Sequence, residues 1–101
     1  LLLKPNCELC DKDLPAQSTE ACICSYECTF CRDCVDKVLN NVCPNCGGGF
    51  SSRPIRPSKE YRLGVSLKKQ VASSERVLSK YSESEIRAFA ANIAHLKPES
   101  R

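Results

Sequence analysis

The spacing of apolar residues changes twice along this chain and divides it into three parts. Residues 1–50 carry scattered apolar positions among cysteines, residues 51–60 (SSRPIRPSKE) form a polar connector, and residues 61–97 place apolar side chains at helical intervals. In that last part Leu67, Val71, Leu78 and Tyr81 fall on one stripe with Ser74 between them, at intervals of four, three, four and three. The pattern predicts a helix that ends near Tyr81. Ser82 followed by Glu85 makes a capping box, with Tyr81 and Ile86 at the staple positions around it. A second helix is expected from Glu83 to about Leu96, with Ile86, Phe89, Ala90, Ile93 and Ala94 on one face. Two amphipathic helices joined by a tight cap suggest an antiparallel hairpin in residues 61–101. Such a hairpin is too small to stand alone, so it should pack on the rest of the chain or on a second copy.

In the connector, Pro54 and Pro57 fix their own φ and push Arg53 and Arg56 toward extended backbone, which favours a short polyproline-like segment. In the first part, Val35, Val38, Leu39 and Val42 form a helical stripe after Cys34, with Asp33 placed to cap it. The large apolar residues of this part are few: Leu9, Leu14, Ile23, Tyr26, Phe30, the stripe, and Phe50. Below roughly 70–80 residues a core of that size rarely holds a fold without disulfides or metal.

Composition supplies the missing stabiliser. All nine cysteines lie between Cys7 and Cys46. Their odd number fits disulfides poorly, and Leu1-Leu2-Leu3 is too short for the apolar core of a secretory signal. No run approaches the ~18 apolar residues of a membrane span, so no membrane partner is expected. A reducing cytoplasmic setting is expected instead, where clustered cysteines bind metal. Charge is unevenly divided: residues 1–50 carry four Lys/Arg against seven Asp/Glu, and residues 51–101 carry eleven against five. Metal-bound thiolates would make the first part more acidic still, opposite a basic tail.

The cysteines run Cys7-x2-Cys10-x11-Cys22-x1-Cys24-x3-Cys28-x2-Cys31-x2-Cys34-x8-Cys43-x2-Cys46. A CxxC pair lets two sulfurs reach one ion from a tight knuckle, and structural zinc takes four such ligands tetrahedrally at about 2.3 Å. Cys31 can serve only one knuckle of the overlapping run. If it pairs with Cys34, Cys28 takes Cys24 as its local partner. Cys22 and Cys24 would point to the same side of a strand, and only one is needed. Four pairs result: Cys7/Cys10, Cys24/Cys28, Cys31/Cys34 and Cys43/Cys46, with Cys22 the remainder. Bacterial ferredoxins share the Cys28-x2-Cys31-x2-Cys34 spacing, but their next Cys-Pro follows after three residues rather than eight. The Cys24-x3-Cys28-x2-Cys31 spacing is also that of the radical-SAM cluster motif, but this chain has no room for the accompanying barrel.

The array resembles a RING finger over residues 7 to about 47. CSYECTFCRDC matches that family's central segment, with Cys28 at the usual histidine position, and CPNC at 43–46 matches its closing CPxC. The resemblance implies a small metal-stabilised α+β fold, a treble-clef-like module of residues 1–50 with a short β-hairpin and one short helix. It also implies cross-brace ligation of two zinc ions: Cys7, Cys10, Cys31 and Cys34 on one; Cys24, Cys28, Cys43 and Cys46 on the other. Spacing alone leaves sequential pairing open, with Cys31, Cys34, Cys43 and Cys46 sharing one ion. The wider pattern, KPNCELC through ECTFCRDC to CPNCGG and RPIRP, is also similar to a family of small bacterial cysteine-rich proteins of unassigned function.

Closed four-cysteine sites offer no open coordination position, so the zinc ions are expected to hold the fold and the chain is not expected to be an enzyme or to take a small-molecule substrate. His95, the only histidine, lies opposite the Ile86 stripe and reads as a surface residue. Three functions follow from the surfaces. One is a protein-interaction module, docking or dimerising through the helical tail. Another is nucleic-acid binding by Arg53, Arg56, Lys59, Arg62, Lys68 and Lys69, with Tyr61 able to stack. The third, ubiquitin-ligase activity, rests on the RING resemblance: Leu9, Val38 and Pro44 stand where ligases contact the conjugating enzyme. Val38 replaces the common tryptophan, and Gly47-Gly48 stand where active members often supply arginine.

Overall fold

The computed structural model describes all of residues 1–101. Strand β1 (Ala21–Ile23) and strand β2 (Thr29–Cys31) form the expected hairpin, antiparallel with Cys22 opposite Phe30. Strand β3 (Ser51–Ser52) adds to the other edge of β1, giving the order β2-β1-β3. Helix α1 (Arg32–Cys34) leaves β2 directly and runs on as a π-helical turn over Val35–Leu39. Asn40 and Asn41, at φ 48° and 59°, then turn the chain sharply; asparagine tolerates this left-handed region better than most side chains. The stripe is helical only as far as Leu39: Val35 and Leu39 are buried and Val38 packs against the core, while Val42 is buried beyond the left-handed turn that ends the helix.

Asp33 is not the cap. The N-cap is Cys31, extended at φ −76° and ψ 157° as the last residue of β2, and it makes no side-chain capping bond. Because strand and helix share a junction fixed by Cys31, the helix starts one residue before Asp33, which falls in its first turn.

The core is made largely of sulfur. Of thirteen buried residues in its main cluster, seven are cysteines, joined by Leu14, Ala21, Phe30, Val35, Leu39 and Ile86. Phe30 and Phe50 meet edge to face with ring centroids 5.5 Å apart.

The helical hairpin expected in residues 61–101 is not formed. Helix α2 (Glu83–Ile93) is present, with Ser82 and Glu85 making both bonds of the capping box, and it buries Ile86 and Ala90. The helix expected before it is absent: residues 71–80 form neither helix nor strand and lie as a strap along the N-terminal segment. The Ser73 and Ser79 amides donate to the carbonyls of Leu3 and Glu8, at 3.0 and 2.7 Å. The side-chain amide of Asn6 donates to the Val77 carbonyl at 2.8 Å, and its oxygen accepts from the Val77 amide at 3.2 Å. Arg76 forms ion pairs with Asp11 and Asp13. Backbone groups engaged this way cannot also close helical turns, and the supposed apolar stripe is left outside, with Val71 at 74% and Leu78 at 58% exposure. Tertiary hydrogen bonding overrides the periodicity here.

Candidate metal centre

Two of the cysteine pairs are built from the same local turn. In the first, the Cys7 amide donates to the Lys12 carbonyl at 2.8 Å and the Asp11 amide to the Cys7 carbonyl at 3.0 Å. In the last, the Cys43 amide donates to the Gly48 carbonyl at 2.8 Å and the Gly47 amide to the Cys43 carbonyl at 2.7 Å. Both knuckles bend at a residue of positive φ just after the second cysteine, Asp11 at 63° and Gly47 at 79°. α2 lies over this turn: a Cβ at Gly47 would meet Ile93 at 3.6 Å and Phe89 at 3.8 Å, ordinary contact distances, so α2 packs on the closing knuckle. The Cys24/Cys28 pair is the hairpin loop itself. Its Glu27, at φ 66°, donates to the Cys24 carbonyl, and the Tyr26 amide donates to Cys24 Sγ at 3.3 Å. Cys31 and Cys34 span the junction of β2 and α1.

These elements bring the thiols into two groups. The sulfurs of Cys7, Cys10, Cys31 and Cys34 all lie within 4.8 Å of one another, as do those of Cys24, Cys28 and Cys43. The first and third pairs therefore meet, and the second meets the fourth through Cys43, an interleaved rather than sequential grouping. Both groups are positioned to bind a metal ion. The sulfur of Cys46 is not within the second group; Cys46 is exposed and its Sγ accepts from the Gly48 amide at 3.4 Å. Cys22 belongs to neither group. It is fully buried in β1, and its Sγ faces the Glu20 carbonyl at 3.8 Å.

Electrostatics within the groups favours a cation. Burial pushes the thiols of Cys28, Cys31, Cys34 and Cys43 up from their ordinary value, with thiolate neighbours contributing further. At Cys10 burial also acts upward, but hydrogen bonds from the Lys12 backbone and neighbouring thiols outweigh it and the pKa is lowered. Four ionised sulfurs inside one 4.8 Å cluster repel strongly, and a divalent ion at its centre removes that cost.

Two buried polar side chains hold the first knuckle, and neither was evident in the sequence. Glu8 sits between the cysteines of CELC, pairs with Lys4 at 3.0 Å and accepts from the Thr29 amide, which ties the knuckle to β2. Asn6 bonds to the Cys7 carbonyl and to Asp11, the turning residue. Arg53, expected in an exposed connector, is only 4% exposed. Its guanidinium donates to the carbonyls of Lys4, Leu14 and Pro15 and so fastens the end of β3 to the N-terminal segment.

A core of clustered thiols on a three-stranded α+β scaffold defines a small cysteine-rich protein with two groups positioned for metal. Within that class the chain belongs to the family described as "Protein of unknown function (DUF1272)", whose model matches residues 1–56. It is similar to "Uncharacterized protein R02474" of Rhizobium meliloti (strain 1021), with 51% identity over 78 residues, 77% of this chain and 86% of that relative. No solved structure matches the chain.

Proposed function

We propose that the protein is a non-catalytic, zinc-stabilised interaction module in which two zinc ions hold a RING-like, cross-braced fold. The observation that carries this is the pair of sulfur-only groups, every member buried except Cys10, where four thiolates around an ion would leave no position for substrate. Cys7, Cys10, Cys31 and Cys34 would hold one zinc. Cys24, Cys28, Cys43 and Cys46 would hold the other, with the Cys46 side chain turning inward as fourth ligand. An all-thiolate donor set suits zinc, which has no geometric demand beyond four ligands. A reducing cytoplasm, in which these thiols stay free, suits the same reading.

The interaction surface of this reading is the cleft of 220 Å³ between the closing knuckle and α2, lined by Pro44, Tyr81, Glu85, Ile86 and Phe89. A protein partner, or a second copy, would dock there. The same packing weakens the ubiquitin-ligase alternative, because Pro44 is mostly buried and what it shows faces the chain's own α2 across that cleft. It also narrows the nucleic-acid alternative, because Arg53 and Arg56 are spent on carbonyls of the N-terminal segment, Leu1 among them.

Native mass spectrometry of the purified chain tests the metal reading: two zinc ions per chain are expected, and one ion or an iron cluster overturns it. For the interaction, metal-loaded protein is used as bait beside its Phe89→Glu variant. Specific partners should be retained by the first and lost by the second; equal capture by both refutes this surface.

A further inference from the structure

Between the connector and the strap the chain forms a closed loop. Its neck is the bond from the Leu67 amide to the Pro57 carbonyl, 2.7 Å, reinforced by Arg56 donating to the Gln70 carbonyl at 2.7 Å. Inside, the Gln70 side chain donates to the Gly64 carbonyl and accepts from the Ser66 amide, and Ser66 is buried. The loop is thus a self-supporting Ω-loop rather than a slack linker. Its apex is a tight turn in which Val65 donates to the Arg62 carbonyl at 3.3 Å and Gly64 takes φ +84°. No atom lies within 4 Å of a Cβ built at Gly64, so backbone conformation rather than space calls for glycine.

That turn holds apolar side chains away from the protein. Leu63 is 94% exposed, the most exposed large apolar residue of the chain, and Tyr61 and Val65 beside it are 75% and 54% exposed. Around this tip stand Lys59, Arg62, Lys68 and Lys69. Their side chains make no ion pair and no hydrogen bond, whereas Lys4, Lys12, Lys37, Arg76 and Arg87 all pair with carboxylates. Behind the tip, Ser58, Lys59, Glu60, Ser66, Lys68 and Lys69 line an open depression of 450 Å³.

We infer that this loop docks the protein on an anionic lipid bilayer surface, with Leu63 and Val65 entering the headgroup–acyl boundary and the collar of lysines and Arg62 engaging headgroup phosphates. An apolar tip with a basic collar is matched by a surface that offers phosphate above hydrocarbon, and Tyr61 suits the level between them. A nucleic acid would use the cations and Tyr61 but would leave Leu63 and Val65 in water. A second copy fits less well, because most acidic residues of the cysteine module are already paired within the chain. The inference departs from the expectation of no membrane partner, which rested on the lack of an apolar span.

The test is co-sedimentation of the full metal-loaded chain with vesicles of phosphatidylglycerol and phosphatidylcholine, beside vesicles of phosphatidylcholine alone. Retention on the anionic vesicles, falling with salt, is expected. Leu63→Ser and the double change Lys68→Glu, Lys69→Glu should each weaken it about tenfold or more, one through lost apolar burial and the other through lost charge. Both sites are exposed, and unchanged metal content would show the fold intact, so a failure here is separable from a failure of the zinc reading. A chain that stays in solution with anionic vesicles overturns the inference. So does retention that Leu63→Ser leaves unaltered. Tighter binding to a mixed oligonucleotide than to vesicles, insensitive to Leu63→Ser, would overturn it in favour of nucleic acid.

Discussion

Cys22 and Cys31 stand opposite neighbouring positions of one hairpin and have different fates. Cys31 joins the first sulfur group, while Cys22 packs as a small apolar side chain whose thiol is pushed up by burial. Cys22→Ser should therefore leave two zinc ions bound by native mass spectrometry, at a modest stability loss. Cys31→Ser should lose the fold by circular dichroism, because structural zinc supplies about 10–16 kcal/mol. Metal loss in the Cys22 variant would show that the remainder lies elsewhere. At this scale the local pairs Cys7/Cys10, Cys24/Cys28 and Cys31/Cys34 read from spacing each fall within one sulfur group, whereas the Cys46 sulfur stands apart from the group of Cys43. Glu8, Asn6 and Arg53 were not legible. Each acts on backbone groups distant in sequence, such as Thr29, Val77 and Leu14, and no local pattern records those partners.

Among the elements, α2 was read from its boundary signals and the strap was misread from its periodicity. Ser82 and Glu85 bond to each other's backbone, and the Ser82 hydroxyl also meets that of Ser84, so their chemistry is complete within four residues and survives any tertiary setting. Ser82→Ala should cost about 1 kcal/mol, seen as a lower urea midpoint with unchanged slope. The Glu85 carboxyl is held below its ordinary value by hydrogen bonds from the Ser82 amide and hydroxyl. A lowered folded pKa means that its contribution is present above the ordinary carboxylate range and fades as pH falls through the lowered value. The strap lacks such local signals. Its apolar spacing fits a helix, but its shape is set by Leu3, Asn6 and Glu8, whose amide and carbonyl groups it satisfies. Pairing of this kind leaves no mark on a stripe count.

For the whole molecule, the zinc reading proposed above makes metal and fold one equilibrium. Six of the thirteen core residues are cysteines of the two sulfur groups, and without ions they would be buried thiols that pack weakly in place of coordinate bonds. The raised pKa values at Cys28, Cys31, Cys34 and Cys43 mean that these groups are protonated in the metal-free fold at neutral pH. Metal must displace those protons, so affinity should rise with pH and fall as pH drops. Zinc added to stripped protein in weak buffer should release protons measurably, and acidification should release zinc together with loss of secondary structure. Unchanged zinc content between neutral and mildly acidic solution would contradict this coupling.

The strap carries a consequence in time. Arg76 and Val77 meet partners 65 and 71 positions earlier in the chain, among the longest separations in the protein. Closing loops of that length is entropically slow, whereas the hairpin and its neighbouring knuckles close locally. During synthesis the clasp of the first knuckle emerges only after the whole cysteine module has followed that knuckle. Until the strap arrives, the Asn6 side chain, Asp11 and the Glu8 carbonyl lack the partners it brings. On the zinc reading proposed above, the first knuckle has that interval in which to take its ion before the strap fastens to the N-terminal segment.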